Sequence, residues 1–475
     1  MKYVETPLID RLWQHNKDEA YSFHVPGHKN GQLWPKTEWA QNLLSLDVTE
    51  LSGLDDLHDP TSVIKDAEDM TARLYGADYS YFLVNGTTVG NLAMIMTACP
   101  QGSKVLVQRN CHKSVINGIN LSGAKPVYIT PEVDHKTGVA TGVTYERIKS
   151  AFEQHGSFSA VILTNPNYYG MTIDLTSIIK YVHQKDIPVL VDEAHGAHFG
   201  IGEPFPPSAL EMGADVVVQS AHKTLPAMTM ASFLHIHSSR INRMSLEKYL
   251  NILQSSSPSY PLMASLDFAR AYRESIEKDD RKVILRSIDT FSELLKGIPQ
   301  LEVIQGKSRY DWLDPLKLII QSKTHLSGFK LQTVLEEQGI YTELADPYNV
   351  LFVLPLAPLR EVSEIVARMT WAVKNYDVIE SKTCNATIMN GFPHVTEQIL
   401  TEHQIRQRRK TYVSLKEATG KICAETIIPY PPGIPILLAG ERIMKAQVEY
   451  FQLLIENGAR FQGASVQGRK LQIVE

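Results

Sequence analysis

The chain contains few cysteines, and their spacing argues against domains that disulfides or a structural zinc ion would stabilise. The four cysteines are Cys99, Cys111, Cys384 and Cys423, and no two of them form a CxxC pair. This spacing argues against a disulfide framework and against a structural zinc site. Unpaired thiols suit a reducing compartment, so the sequence predicts a cytoplasmic protein.

The sequence also lacks long apolar runs, blocks of basic residues and internal repeats. No apolar run approaches the ~20 residues that cross a bilayer, and residues 1–25 contain no apolar core of a signal peptide. The net charge is only −5 over 475 residues. We therefore expect neither a membrane nor a nucleic acid as a partner.

Alternating helix and strand patterns occupy the middle of the chain. Val63–Tyr75 is a predicted helix that ends at Gly76, and a helix at Leu175–Gln184 follows one of the strands. The predicted strands are Tyr79–Val84, Lys104–Gln108, Lys125–Ile129, Ala160–Thr164, Ile187–Val191, Val216–Val218 and Ser232–His237. This alternation predicts an α/β fold with a mostly parallel sheet that helices cover on both faces, and a site at the carboxyl edge of the sheet.

The rest of the chain predicts further units around this sheet. We expect an N-terminal segment at 1–60, a large domain at 61–290, a smaller α/β domain at 291–376 and a C-terminal domain at 377–475. The apolar spacing predicts helices at Thr6–Gln14, Thr401–Thr411 and Glu441–Asn457. The Pro-Pro-Gly core of Ile427–Pro435 excludes a regular helix or a central strand there.

One lysine lies where α/β enzymes place their chemistry. The short apolar strand Val216–Val218 ends at Gln219-Ser220-Ala221-His222-Lys223-Thr224. A lysine just past the carboxyl end of a strand can form a Schiff base with an aldehyde cofactor. Taken alone, such a lysine is more often a solvated loop residue, so the other strand ends decide between the two interpretations.

Three further positions carry groups that suit an aldehyde cofactor with a phosphate. Gly86-Thr87-Thr88 connects a strand to a helix, where free backbone N–H groups and small hydroxyl side chains attract a phosphate, although the P-loop pattern is absent. His112 begins a helix, and Asp192 ends a strand. Together with Lys223, these groups predict pyridoxal phosphate as the cofactor, because a carboxylate suits its pyridine nitrogen and an imidazole can cover its ring.

Seven motifs resemble those of one family of pyridoxal phosphate enzymes. They are FHVPGHKNG, DVTELSGLDDLHDP, NGTTVGN, RNCHKS, VDEAHGAH, SAHKTLPAMTMAS and PYPPGIP. These motifs are similar to those of the ornithine/lysine/arginine decarboxylase family, which has the aminotransferase-like fold type I. The resemblance extends from about Tyr21 to Gly440. It implies the decarboxylation of a small-molecule substrate, which is arginine, lysine or ornithine, to carbon dioxide and an amine.

The resemblance also implies a role for each matching residue. Lys223 carries the cofactor as a Schiff base, Asp192 pairs with its pyridine nitrogen, and His112 stacks on its ring. The other implied cofactor contacts are Gly86, Thr87, Thr88, Ala194, His195, Ser220 and His222. His222 and Lys223 both stay open as the donor of the proton that returns to the α-carbon.

The resemblance further implies an active site shared between two chains. Ser255–Ser257 matches a segment that reaches the phosphate of the neighbouring subunit, with Ser256 as the expected contact, so we expect a homodimer. The PGHK motif lies within the first thirty residues, which leaves no room for the N-terminal wing of the large family members. The chain therefore resembles the short form of the family, and we expect no decamer.

A basic substrate also requires an anion for its distal cation. Glu343 and Asp346 are the first candidates, and Asp55 and Asp56 are the second. A solvated turn or a structural ion pair is the alternative for each pair. The alternative function is an aminotransferase or another lyase on the same cofactor, although Arg360 stands in no recognisable context for binding a substrate carboxylate.

The spacing of Asp192, His195 and His198 also raises the question of a metal site. These residues follow a strand instead of sharing a helix face, and the sequence contains no HExxH motif. We therefore expect no catalytic metal.

Overall fold

Helices and strands alternate along the chain in a computed structural model, which describes residues 20–304, 310–379, 392–429, 435–462 and 468–475. The α-helices are α1 (Glu38–Gln41), α2 (Val63–Tyr75), α3 (Gly86–Ala98), α4 (Lys113–Ser122), α5 (Tyr145–His155), α6 (Thr176–His183), α7 (Ala221–Thr224), α8 (Arg243–Leu253), α9 (Tyr260–Ser275), α10 (Lys278–Lys296), α11 (Gly328–Glu336), α12 (Val362–Val373), α13 (Glu402–Arg406), α14 (Leu415–Ala418) and α15 (Lys445–Glu456). The strands are β1 (Tyr21–Phe23), β2 (Tyr79–Leu83), β3 (Lys104–Gln108), β4 (Lys125–Ile129), β5 (Val161–Thr164), β6 (Met171–Thr172), β7 (Val189–Asp192), β8 (Val216–Gln219), β9 (Ser232–Ile236), β10 (Leu301–Val303), β11 (Trp312–Leu313), β12 (Lys317–Ser322), β13 (Ile340–Thr342), β14 (Leu344–Ala345), β15 (Asn349–Val353), β16 (Val395–Glu397), β17 (Lys410–Ser414), β18 (Ile422–Cys423), β19 (Ile428–Pro429), β20 (Phe461–Gln462) and β21 (Lys470–Val474).

An eight-stranded sheet lies at the centre, with the strand order β16-β4-β3-β5-β7-β8-β9-β2. Neighbouring strands from β4 to β8 are parallel, whereas β16, β9 and β2 pair antiparallel. In the register of three adjacent strands, Asp192 pairs with Thr164 on one side and with Val218 on the other. The carboxyl ends of β5, β7 and β8 therefore lie side by side, at the edge where the sequence predicts the site.

Both faces of this sheet are buried. Val216 and Val218 belong to one apolar cluster, whereas Val217 between them belongs to another. Successive side chains of a strand point to opposite faces, so each cluster covers one face. All four residues of β8 are buried, which explains why this strand is a continuous apolar run instead of an alternating one. The predicted α/β fold with a mostly parallel, doubly covered sheet is confirmed.

Smaller sheets surround the central one. A four-stranded antiparallel sheet has the order β10-β12-β15-β14, and helix α11 packs against its strand β15. Strand β1 pairs in parallel with β13, which connects the N-terminal segment to this part of the molecule. Strands β17, β21 and β18 form a third sheet near the C-terminus. The division at residues 60, 290 and 376 stays a prediction, and β16, from the predicted C-terminal domain, lies at the edge of the central sheet.

Local sequence signals predict several elements correctly, but one predicted helix is wrong. Helix Val63–Tyr75 has the predicted bounds, and Gly76 ends it in the left-handed conformation with φ 69°. The predicted helix Thr401–Thr411 is wrong, because the helix ends at Arg406 and Lys410–Ser414 is a strand that pairs with β21. That pairing overrides the weak helical pattern of the segment. The predicted helix Thr6–Gln14 and residues 430–434 lie outside the described residues.

Within the described ranges, every helix is too short or too polar to cross a bilayer.

Candidate active site

Lys223 lies on a short helix directly after the central strand β8. The strand ends at Gln219, and α7 places Lys223 at the carboxyl edge of the sheet. Its Nζ atom is 3.0 Å from Nε2 of His195 and 5.5 Å from the ring centroid of Tyr168. Burial lowers the pKa of Lys223 to about 8, although the negative charge of Asp192 raises it. More of this amine is therefore unprotonated near neutral pH than in an ordinary lysine, as a nucleophile requires.

Lys223 faces a cavity at this edge of the sheet. The residues that line the cavity are Thr87, His112, Thr164, Pro166, Tyr168, Asp192, Ala194, His195 and Lys223. The structure thus brings six of the predicted site residues to one cavity, whereas Thr164, Pro166 and Tyr168 are additions that sequence reasoning missed. The available signal was the polar segment Asn165–Gly170, which directly follows β5.

The Asp192 carboxylate is buried and held by two N–H donors. The side-chain amide of Asn91 donates to Oδ2 at 2.9 Å, and the backbone N–H of Ala194 donates to Oδ1 at 3.1 Å. The same Asn91 amide donates to Oγ of Ser114 at 2.9 Å. These bonds fix the carboxylate at the end of β7, and Asn91 is a further site residue that sequence reasoning missed.

His112 connects to this network through Ser114. Its Nδ1 atom accepts from the backbone N–H of Ser114 and caps the N-terminus of α4. Burial lowers the pKa of His112 to about 4; Asp192 opposes this shift, and Lys223 adds to it. The imidazole is therefore neutral at physiological pH, and with Nδ1 as the acceptor its proton lies on Nε2.

The predicted phosphate turn lies beside the lysine. Gly86 begins α3 with φ +75°, a conformation that glycine adopts without strain. The hydroxyl of Thr87 is 3.0 Å from that of Ser220, so strand ends β2 and β8 place two hydroxyls at one helix N-terminus. Gly90 lets α3 lie directly on the sheet, because an added Cβ would be 2.8 Å from both Leu83 and Val218.

Five of the predicted cofactor contacts lie outside the lining of the cavity: Gly86 and Ser220 in the turn beside it, and His222, Thr88 and Ser256. The Nδ1 atom of His222 is 3.1 Å from the carbonyl oxygen of Ala231, so this nitrogen donates to the backbone. Thr88 is exposed, and so is Ser256. The roles of these residues in catalysis and cofactor binding stay predictions.

The four acidic candidates for substrate binding have different surroundings. Asp55 accepts hydrogen bonds from the backbone N–H groups of Thr61, Ser62 and Ile64 at the start of α2. Burial raises its pKa, but the backbone donors together outweigh burial and lower the pKa to about 2. Asp56 accepts from the backbone N–H of His58 in the same turn. Asp55 and Asp56 thus hold the backbone of a turn, and their role in substrate binding stays a prediction.

Asp346 and Glu343 also differ from each other. The Asp346 carboxylate accepts from the Tyr169 hydroxyl at 2.5 Å, from the side-chain amide of Asn349 at 2.7 Å and from two backbone N–H groups. Both of its oxygens are therefore occupied within the fold. Glu343 accepts from the backbone N–H of Val25 at 2.8 Å, and its charge raises the pKa of Lys223. Glu343 is thus the candidate that the structure brings near the lysine.

The PGHK motif lies directly against the lysine helix. The backbone N–H of Gly27 donates to the carbonyl oxygen of His222 at 2.7 Å. The Nζ atom of Lys29 donates at 2.7 Å to the carbonyl oxygens of His24 and Val353, so this lysine links the motif to β15. The motif thus supports α7.

A buried lysine and a buried carboxylate at the ends of adjacent strands thus form a candidate active site on an α/β fold. The chain matches the family described as Orn/Lys/Arg decarboxylase, major domain, over residues 6–362, and the C-terminal domain of the same family over residues 387–472. The chain belongs to the Orn/Lys/Arg decarboxylase family, and the resemblance seen in its motifs is confirmed.

Individual relatives cover almost the whole chain. "Uncharacterized protein YaaO" of Bacillus subtilis is 50% identical over 467 residues, which are 97% of this chain and 96% of that protein. The arginine decarboxylase of Bacillus subtilis is 33% identical over 477 residues, which are 98% of this chain and 96% of that protein. The structure of the constitutive lysine decarboxylase of Escherichia coli superposes with a TM-score of 0.73 at 22% identity and covers 99% of this chain and 82% of that one. This likeness confirms the predicted fold type I architecture.

Proposed function

We propose that the protein is a pyridoxal phosphate-dependent decarboxylase of a basic amino acid. The observation that carries the proposal is the position of Lys223 and Asp192 on one cavity, at the ends of adjacent parallel strands. An amine for an aldehyde and a carboxylate for a pyridine nitrogen are the two groups that this cofactor requires. Membership of the Orn/Lys/Arg decarboxylase family supports the reaction type.

The residues around the cavity fit the other parts of the cofactor. The N-terminus of α3, with the Thr87 and Ser220 hydroxyls beside it, suits a phosphate. The neutral His112 suits the face of the pyridine ring. The buried Thr164 hydroxyl in the cavity wall has no hydrogen-bond partner among the described residues, which is expected of a group that faces a polar ligand.

Pyridoxal phosphate held by Lys223 would supply an acceptor, at its pyridine nitrogen, for the electron pair of the breaking bond. Asp192 stabilises the protonated form of that nitrogen, and Asn91 and the N–H of Ala194 hold the carboxylate in place. Pro166 and the ring of Tyr168 are apolar parts of the cavity wall. Such apolar surroundings favour the loss of charge that accompanies the departure of carbon dioxide. Lys223 and His222 are the candidates that return a proton to the α-carbon.

We propose arginine as the preferred substrate, ahead of lysine and ornithine. A relative named arginine decarboxylase is 33% identical over 98% of this chain, whereas the constitutive lysine decarboxylase of Escherichia coli is 24% identical over 97% of it. Glu343 is the proposed anion for the distal cation of the substrate, because its charge reaches Lys223.

The test is a product assay on purified protein with each of the three amino acids. Decarboxylation releases carbon dioxide and converts arginine to agmatine, lysine to cadaverine or ornithine to putrescine. A keto acid product would support the aminotransferase alternative instead. A protein that gains no visible absorption band on addition of pyridoxal phosphate would contradict the proposal as a whole.

We also propose a homodimer with a shared active site, in the cytoplasm. The segment Ser255–Ser257 is exposed, as a loop that reaches a neighbouring subunit must be. Cys99, Cys111 and Cys423 are free thiols, which supports a reducing compartment.

A further inference from the structure

A buried imidazole lies between two lysines in the wall of the cavity. The Nε2 atom of His195 is 3.0 Å from Nζ of Lys223, and its Nδ1 atom is 3.3 Å from Nζ of Lys317. Lys317 is the first residue of β12, in the smaller antiparallel sheet, and is 3% exposed. His195 is also 3% exposed, so water cannot readily replace either lysine as its partner.

The number of protons on His195 limits the protonation of the two lysines. Burial lowers the pKa of His195 well below its usual range, and the charges of Lys223 and Lys317 lower it further. A neutral imidazole has one N–H donor and one acceptor nitrogen. Its acceptor nitrogen can bind an ammonium group, but its N–H can bind only an amine that has a free electron pair. One of the two lysines must therefore be unprotonated for both hydrogen bonds to form.

The surroundings indicate that the charge lies on Lys317. Burial lowers the pKa of Lys317, but the charge of Asp314, a fully buried residue three positions earlier, opposes this shift. One oxygen of Asp314 binds His198, whereas the other has no hydrogen-bond partner among the described residues. The charge of Glu343 raises the pKa of both lysines. Asp192 raises only that of Lys223, and its oxygens already accept from Asn91 and Ala194.

We propose that Lys317 is a positioning residue whose ammonium group donates to Nδ1 of His195, so that the proton of His195 lies on Nε2 and Lys223 is held as a free amine. The inference rests on the proposed function in one respect: Lys223 is taken to react with the aldehyde of the cofactor. A free amine is the form that attacks an aldehyde. It explains why a second buried lysine, from a different sheet, lies so close to the first.

The titration of Lys223 depends on several groups from different elements. The charged and titratable groups that face it or affect it are Asp192 from β7, Lys317 from β12, Glu343 between β13 and β14, His112 before α4, His222 on α7, and Tyr168 and His195 from the loops after β5 and β7. All of these except Lys317 and His195 are left unchanged in the test.

The test measures the midpoint of the Lys223 titration in the full chain after removal of the cofactor. Acetylation by limiting acetic anhydride at a series of pH values, followed by digestion and mass spectrometry, gives the fraction of each lysine that is a free amine. We expect Lys317→Met to raise the midpoint of Lys223 by about 1 pH unit. Lys317→Arg, which keeps both the charge and the donor, is expected to restore the original midpoint. Circular dichroism verifies that each variant is folded.

A second background separates the action through His195 from simple charge repulsion. His195→Phe keeps a ring of similar shape but cannot relay a hydrogen bond. In this background we expect Lys317→Met to raise the Lys223 midpoint by clearly less, because only the through-space effect of the Lys317 charge remains. An equal shift in both backgrounds would overturn the proposal, because it would show that Lys317 acts on Lys223 only through space. No shift in either background would overturn it too.

These measurements do not depend on the proposed reaction. A protein that binds no pyridoxal phosphate, or decarboxylates no basic amino acid, contradicts the proposed function whatever the labelling shows. An unshifted Lys223 in an active decarboxylase contradicts only the role of Lys317.

Discussion

The backbone N–H of Gly27 donates a hydrogen bond of 2.7 Å to the carbonyl oxygen of His222, the residue before Lys223. The two backbones approach so closely that a Cβ at position 27 would lie 2.6 Å from the carbonyl oxygen of Leu225. No real Cβ is that near to a backbone atom, so only glycine fits here. A segment almost two hundred residues away in the sequence thus fixes the helix that carries the lysine.

We predict that Gly27→Ala displaces α7 and weakens cofactor binding. The added methyl group must push the backbone of Leu225 aside, and overpacking of this kind costs about 1–3 kcal/mol. Absorbance titration with pyridoxal phosphate measures the dissociation constant, and thermal unfolding measures stability. Gly468→Ala is the matched control, because no atom lies within 4 Å of a Cβ at that position. Equal cofactor affinity in the two variants would contradict the prediction.

Asn91→Ala is expected to weaken cofactor binding without unfolding the protein. The variant removes the side-chain donor to Asp192 and leaves this buried carboxylate with the N–H of Ala194. A hydrogen bond to a charged group contributes enough for a loss of about ten- to a hundredfold in affinity. Asn251→Ala, at an exposed position on α8, controls for the loss of an asparagine. An unchanged dissociation constant for pyridoxal phosphate would show that Asp192 does not depend on Asn91.

Glu343→Gln is expected to raise KM for the basic amino acid by about tenfold or more, because it removes the proposed partner of the distal cation. Cofactor affinity is expected to change much less. Glu337→Gln, at an exposed position near α11, is the control for the charge change. An unchanged KM would contradict the proposal for Glu343. Another acidic residue would then be the partner of the distal cation.

Two inactive variants are expected to complement each other if the active site is shared between chains. Lys223→Ala removes the covalent attachment, and Ser256→Glu repels the phosphate of the neighbouring site. Mixed dimers then contain one intact site, so co-expression in equal amounts is expected to restore about one quarter of the wild-type sites. Each homodimer measured alone is the control. Activity no higher than that of the homodimers would mean that Ser256 does not serve the partner's site.

A pH-dependent change in stability is expected at Glu68. This side chain is buried and accepts from the backbone N–H of Phe82, and burial raises its pKa to about 8. The folded state therefore holds the proton more tightly than the unfolded state, whose glutamates titrate near 4.5. The resulting stabilisation is complete below that pH and is lost as the pH rises toward 8.

Glu68→Gln cannot ionise, so its melting temperature is expected to exceed that of the wild type by a few degrees at pH 8 and to differ little at pH 5. Glu153→Gln, whose side chain is 64% exposed, is the control on another helix. A constant difference in melting temperature across this pH range would contradict the raised pKa of Glu68.

Local patterns in the sequence determined much of the fold and the identity of the main site residues. The valine-rich run at β8 indicated a buried strand, Gly76 indicated the end of α2, and Lys223 followed a strand end in an α/β pattern. These features depend on residues that are neighbours in the chain, so periodicity and turn chemistry report them directly. The helix predicted at Thr401–Thr411 was wrong because pairing with a distant strand overrode its local preference.

The tertiary structure alone decided which distant residues complete the site. Lys317 lies 94 positions after Lys223, yet both lysines contact the imidazole ring of His195. Gly27 lies 196 positions before Lys223, yet it contacts the helix that carries this lysine. The tertiary structure also decided that Asn91 contacts Asp192, and that Glu343 and Asp346 have different surroundings. No local pattern encodes such contacts, because they arise only when separate elements pack together and exclude water from the groups between them.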